Sequence, residues 1–427
     1  MFNRIVIFFV LVVYIYVYFL YKKRLYFATF YWLAVFTLTF LIPNLAPSLN
    51  TYGYVISSST YNRLNYYYLI ILFVFIAFNL LFTMLPIKGL SMKSSKLSYS
   101  RLAFVFNFYC GLSFFILAIV GLDSLKMGAS KAIQGSNPLV SFLAPSIVFG
   151  LILSALIKLF FCKNRKQKML SIFHVIYSFL FGVLLVFARR QVIYPIIITI
   201  VFAVFIYNKK PKLRYLLLIA CIIIFIALPL MISIRTNGFI LGIRNFGEVL
   251  TGHKDILLSY LIMSTDVSWS YSLAAIIIQY NVKISLLTLM RPITMIIPRS
   301  IWTDKPLPAS LQLVRMLGIS DNPNMSIPPG LVGESYSYLG IIGVIIAGML
   351  WGIVTAIIDH KLNPEDNYSR QEKSVMILSL IILSVQFIAG ALRGDTATTL
   401  QETQFVVFPF LMLLYISKLI KFRNSYY

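Results

Sequence analysis

Acidic residues are scarce in this chain: 13 Asp and Glu stand against 37 Lys and Arg, and the first of them is Asp123. Charge of either sign is scarce too, at 12% of 427 residues, where a soluble domain carries roughly 25%. With 59% hydrophobic residues and a mean hydropathy of +0.87, this shortage excludes a soluble globular fold, because no soluble core hides so much apolar side chain. Cysteine is rare as well. Cys110, Cys162 and Cys221 fall in or beside apolar runs with no pairing pattern or metal spacing, and they read as inert. A net charge of +24 raises the question of nucleic acid, but the basic residues sit in short clusters between apolar runs. They read there as loop anchors, and no nucleic-acid partner is expected.

What the chain does have is long apolar stretches. Membrane helices need about 20 such residues, and the stretches fall near 5–21, 25–45, 66–85, 102–122, 139–161, 170–188, 192–207, 215–234, 336–358, 374–392 and 401–418. The expected fold is therefore all-α and polytopic, with about eleven transmembrane helices. The 35 Phe and 27 Tyr suit lipid-facing helices with rings at the interfaces. The first stretch lacks a small-residue cleavage site and ends in Tyr21-Lys22-Lys23-Arg24, so a retained helix is expected rather than a signal peptide.

Basic clusters at Lys22–Arg24, Lys88–Arg101, Lys158–Lys168, Lys209–Arg214, Lys361–Lys373 and Lys418–Arg423 are each two spans apart. Placing all six in the cytoplasm sets the N-terminus outside and the C-terminus inside. The chain then divides into helices one to eight over 1–234, a large extracytoplasmic loop over 235–335, and helices nine to eleven over 336–427. Within the loop, Tyr271–Tyr280 and Lys283–Pro298 are apolar enough to form interfacial or re-entrant helices.

This orientation divides the basic residues unevenly. The cytoplasmic side holds 16 lysines and 6 arginines, whereas the outer side holds 5 lysines and 10 arginines. Positive charge outside works against the orientation rule and needs another reason. Arginine supplies one, since its planar fork binds phosphate bidentately and stays charged when desolvated. Arg189, Arg190, Arg235, Arg244, Arg291, Arg299 and Arg393, with Lys305, compose a cationic set suited to a lipid-linked phosphate or diphosphate. Snorkelling anchors, or pairs with Glu248, Asp255, Asp304 and Asp395, are the plainer account of any one of them.

Between Pro292 and Gly343 prolines and glycines are dense enough to fix a particular backbone path. Trp302, Tyr336 and Trp269 offer flat faces for sugar rings. Glu334 lies two residues before the ninth expected span, where burial would raise its pKa and suit acid–base work. A salt bridge to one of the arginines, or an acid at a helix N-terminus, explains Glu334 equally well. His253 is a second candidate base, although a lone loop histidine is commonly structural.

The run Ile297-Pro298-Arg299-Ser300-Ile301-Trp302-Thr303-Asp304-Lys305-Pro306, with Gly333-Glu334-Ser335-Tyr336 and Gly340 to Gly343, resembles the Wzy-type O-antigen polymerases of bacteria. Arg189-Arg190 before a span is similar to the arginine that the family carries at the corresponding turn. Many helices, one large late outer loop and a basic character complete the likeness. One departure is that the paired arginine and spaced-glycine motifs of some members are not found after Arg235, Arg244, Arg291 or Arg299. The resemblance implies a polymerase of undecaprenyl-diphosphate-linked oligosaccharide repeat units in the bacterial inner membrane, serving O-antigen or other surface polysaccharide synthesis. It implies the lipid-linked oligosaccharide and membrane lipid as partners, together with a chain-length regulator protein. Arginines would stabilise the departing diphosphate, Glu334 or His253 would assist the acceptor hydroxyl, and no metal or cofactor is demanded.

A metal-dependent membrane glycosyltransferase would carry acids in its first outer loop, and 46–65 contains none. An O-antigen ligase differs mainly in its acceptor and is poorly separated by sequence. A flippase or transporter of the same lipid would favour short loops, related halves and charges at mid-span, which are few here.

Overall fold

The computed structural model describes residues 2–23, 26–45, 52–85, 95–120, 138–185, 189–207, 244, 266–294, 301–320, 325–363 and 372–419. Its helices are α1 (Phe2–Lys23), α2 (Phe27–Leu45), α3 (Ser58–Met84), α4 (Tyr99–Val120), α5 (Pro138–Lys158), α6 (Arg165–Leu185) and α7 (Arg189–Tyr207). They continue with α8 (Asp266–Tyr280), α9 (Arg291–Thr294), α10 (Ala309–Met316), α11 (Gly330–Leu339), α12 (Ile341–Leu362), α13 (Ser374–Leu392), α14 (Thr396–Glu402) and α15 (Phe408–Leu419). No strand occurs among the described residues. A π-helical turn, Thr403–Val407, joins α14 to α15.

Seven helical segments among the described residues are long and apolar enough to cross a membrane: Phe27–Asn44, Ser58–Met84, Tyr99–Ile119, Leu143–Phe161, Ile341–Leu362, Ser374–Leu392 and Thr396–Leu419. This is the pattern of a multi-pass membrane protein. Of the other expected spans, 5–21 and 192–207 appear as the shorter apolar helices Arg4–Leu20 and Gln191–Tyr207. The stretch 170–188 falls on α6, which is helical but opens on Arg165, Lys166 and Lys168 and is not among the seven. The stretch 215–234, with Cys221, lies outside the described residues.

Two compact units, each drawn from three separate stretches, make up the chain. The first comprises Met1–Ser91, Ser259–Asp366 and Leu383–Glu402; the second comprises Met92–Leu258, Asn367–Ile382 and Thr403–Tyr427.

In the first unit α12 lies along α3. Gly348 and Gly352 recur at four-residue spacing, and a Cβ on Gly352 would come within 2.6 Å of the Phe75 carbonyl oxygen, so only hydrogen permits this approach. Aromatic packing completes the layer: Trp32 of α2 stacks on Phe75 with centroids 3.8 Å apart. Asn79 ties α3 to three other helices, donating to Thr29 Oγ1 at 3.0 Å and Thr355 Oγ1 at 2.9 Å while accepting from Tyr16 at 2.6 Å. Asp359, near the end of α12, accepts the Ala28 and Thr29 N–H groups at 2.7 and 2.9 Å, satisfying the otherwise unpaired start of α2. Helix α8, inside the expected loop, is buried on every side from Ser270 to Ile278.

The second unit packs α4 on α5, and α5 on α6 and α7. Two residues expected from sequence to be loop anchors are interior. Arg101 donates to the Leu414 and Lys96 carbonyls and to Ser95 and Ser417 hydroxyls. Lys158, fully buried, contacts His174 Nδ1 and lies 4.4 Å from the Phe106 ring centre. Cys110 and Cys162 are free thiols.

Candidate functional site

A backbone crossing in the first unit builds the site. The turn at Arg393 and Gly394 lies across the start of α11, where the Gly330 N–H donates to the Arg393 carbonyl at 2.9 Å. A Cβ on Gly394 would stand 2.2 Å from the Gly330 carbonyl carbon, and Gly394 has φ +85°. Glycine is thus required there twice, by contact and by conformation. The crossing sets the first turn of α14 beside Glu334, one helical turn into α11.

Glu334 is 2% exposed. Its carboxyl accepts the Thr396 N–H at 3.0 and 3.1 Å, the Thr396 hydroxyl at 2.8 Å and the Tyr338 hydroxyl at 3.3 Å. Asp395 is also buried; it accepts the Thr398 N–H at 3.2 Å and the Ser310 hydroxyl. Burial first, and then the neighbouring Asp395 charge, push the Glu334 carboxyl up to about 8, against the opposing pull of the Thr396 and Tyr338 donors. The salt bridge considered for Glu334 is not what holds it. Its donors are N–H and O–H groups, and the helix end it complements belongs to α14 rather than to α11.

One edge of Glu334 opens on a groove of about 300 Å³. Thr396 and Tyr338 share its polar end, and Ile346, Leu350, Val354 and Phe387 line its apolar length. Along α12 it runs from Gly343 to Val354, roughly 16 Å at 1.5 Å per residue. Leu286 and Leu289 of the 3₁₀ turn Leu286–Met290 form another wall, and that turn leads directly into Arg291. Arg291 is half-buried, and its Nε donates to Gln401 of α14 at 3.3 Å. Helix α14 is therefore preceded by Arg393 and held near its far end by Arg291.

The structure thus brings together Glu334, Arg291 and Arg393 from the residues expected to carry chemistry. Arg189 and Arg190 open α7 and Arg244 is exposed; all three belong to the second unit. His253, Arg235 and Arg299 lie outside the described residues. Lys305 and Trp302 are partly buried beside the turn at 303–304, where Asp304 is exposed. Trp269 packs into a core cluster with Leu273, Ile277 and Leu313 and meets Tyr52 edge-on at 6.2 Å. Tyr336 stacks on Tyr67 at 5.5 Å and carries Lys283 Nζ 4.1 Å from its ring centre, so its faces are already used within the protein. The ninth span starts later than the expected 336: Gly340, at φ +65°, ends α11, and α12 begins at Ile341.

Thr396, Tyr338 and Ser310 were not singled out from sequence, and Asp395 was noted only as a partner for arginine. The signal was present in Gly394-Asp395-Thr396, a turn glycine followed by an N-cap acid. The chain matches no protein-family model, no curated protein and no solved structure.

Proposed function

We propose that this chain is a polymerase of lipid-linked oligosaccharide repeat units. It moves the growing glycan from undecaprenyl diphosphate to a new repeat unit at the outer face of a bacterial cytoplasmic membrane. The observation that carries the reading is a buried carboxyl at the polar end of a long apolar groove, with arginines on either side of the helix that holds it. The groove suits the first part of a polyprenyl tail, and the arginines suit its diphosphate. The resemblance around Arg299 and Glu334 points the same way.

In this reading the chain keeps eleven spans, with 235–335 outside, and Arg189, Arg190, Arg235, Arg244, Arg299 and Lys305 extend the cationic surface. The acceptor hydroxyl attacks the anomeric carbon of the growing chain as the carbon–oxygen bond to diphosphate breaks. The leaving diphosphate takes the electron pair, stabilised by guanidinium groups. The hydroxyl proton passes to the ionised Glu334 carboxylate.

Deletion of the gene tests this directly. Surface lipid anchors capped with single repeat units are expected. Polysaccharide of normal length would overturn the proposal, and loss of all polysaccharide from the anchor would replace it with a ligase or flippase. Cysteines placed in 235–335 should be labelled from outside in intact cells.

A further inference from the structure

The segment that walls the groove is built inside out. In the 3₁₀ turn Leu286–Met290 and in α9 the large apolar side chains are the exposed ones: Leu287 is 60% exposed and Ile293 62%, and Leu286 and Met290 are exposed with them. The polar side chains lie inward. Thr288 and Thr294 are buried, the first donating to Gln312 at 3.3 Å and the second to the Arg291 carbonyl at 3.1 Å. Leu286, Leu287, Met290 and Ile293 recur at the spacing of one helical face. A segment that faced water would show the opposite pattern, and a contiguous exposed apolar face marks a surface that meets protein or lipid.

Its place in the fold decides between them. The Ile284 N–H donates to the Ser337 carbonyl at 2.9 Å, so the turn begins level with the end of α11, where the apolar span Ile341–Leu362 starts. Leu286 and Leu289 then line the groove that follows α12 from Gly343. Apolar exposure continues on α12 through Ile342, Ile345 and Leu350, the surface that a membrane span turns to lipid. Polar exposure stops just ahead of the turn, at Asn281, Lys283 and Ser285, and Lys283 Nζ donates to the Tyr336 carbonyl at 2.9 Å. A lysine at that level suits the headgroups.

The groove is open along its side. Leu286, Leu339 and Leu350 each line it and are themselves about half exposed. We infer that Leu286–Thr294 is an anchor sunk into the leaflet beside α12, and that the groove it walls takes one acyl chain of a membrane phospholipid sideways from that leaflet. Lipid is as apolar as the groove, so packing alone holds the resident chain, and a tail of better fit exchanges with it. That a polyprenyl tail enters by the same side rests on the polymerase reading; the anchor and the acyl chain do not.

Spin labels test the anchor. Leu287→Cys and Ile293→Cys, each in a full-length chain with Cys110, Cys162 and Cys221 replaced by alanine, are labelled and placed in phospholipid nanodiscs. Collisions with oxygen should exceed those with a water-soluble nickel chelate, at a depth of about 5–10 Å below the headgroups. Asp304→Cys, at an exposed position, supplies the aqueous reference. Labels open to nickel, or shielded from both reagents by protein, would rule the anchor out. A phospholipid with a diazirine in its acyl chain tests the groove. Irradiation should leave adducts on buried Leu331 as well as on Ile357, which is exposed on the span. Ala347→Phe, which fills the groove, should reduce the Leu331 adducts several-fold and leave those on Ile357 constant; Ile346→Trp should do the same if the first variant does not fold. A wild-type groove without adducts, or adducts that neither substitution changes, would sink the acyl chain. The polymerase reading answers to the gene deletion instead. Polysaccharide of normal length removes that reading and leaves an adduct-bearing groove in place, whereas water-facing labels beside single-repeat caps remove the anchor alone.

Discussion

Glu334 and Asp359 solve the same physical problem near opposite ends of one helix. Each is a buried carboxyl that accepts backbone N–H groups from the start of another helix, α14 for Glu334 and α2 for Asp359. Between them runs α12, whose 22 residues span about 33 Å, close to the thickness of a bilayer core. Their surroundings differ. Asp359 has no exposed surface, and both of its oxygens are taken by N–H groups. Glu334 faces a groove, sits beside a second carboxyl, and accepts two of its bonds from hydroxyls that can turn. Burial of a charge therefore does not mark a site by itself, as Lys158 also shows. Access to a groove does.

The largest effects should come from removing each carboxyl. Glu334→Gln is nearly isosteric and keeps an oxygen for Thr396, so folded protein should accumulate normally while polymer formation falls by about 10²–10⁴-fold. Quantifying polymer ladders against the amount of protein in membranes checks this. Normal ladders would reduce Glu334 to the status of Asp359. Next come the arginines. Arg393→Gln keeps the backbone carbonyl that receives Gly330 and removes only the guanidinium; with Arg291→Gln it should cost on the order of 10²-fold in activity, as loss of a charge-stabilising donor does. Asp359→Ala belongs to the other side of the comparison. It strands two buried N–H groups at about 1–3 kcal/mol each, so unfolding in detergent should shift down by several degrees while activity per folded molecule stays unchanged.

The fold was legible where composition dominates. Apolar stretches at 25–45, 102–122 and 374–392 correspond closely to α2, α4 and α13, because the bilayer demands length and hydropathy whatever the packing. Glu334 was legible for a similar reason, as an acid set against an apolar span. Its partners were not. Thr396 is 62 residues away, and it arrives only because Gly330 and Gly394 let two backbones touch, a tertiary contact that no local periodicity encodes. The aromatic candidates show the converse. Trp269 and Tyr336 read as open faces in the sequence, but each ring already has partners within the first unit.

A smaller effect follows from proton linkage. The folded state raises the Glu334 carboxyl from 4.5 to about 8, so between those values it binds a proton that the unfolded chain releases. Stability is therefore full below 4.5 and declines as pH rises through about 8. Thermal unfolding of the purified protein across that window should show the decline, and Glu334→Gln should reduce it.

The finest distinction concerns the hydroxyl at Thr396. Thr396→Val keeps the backbone N–H and the β-branched shape but removes the 2.8 Å donor to Glu334 Oε2. That donor stabilises the carboxylate, so its loss favours the neutral acid and the proton binds more tightly. The acid limb of activity should then move to higher pH by a few tenths of a unit. Thr396→Ser, which restores the hydroxyl, should return the limb to its wild-type position. A role confined to packing predicts the reverse ranking, since valine preserves the volume that serine gives up. The two substitutions therefore separate a tuned carboxyl from a merely buried one, even though neither is expected to change activity at pH 8 by more than about two- to threefold.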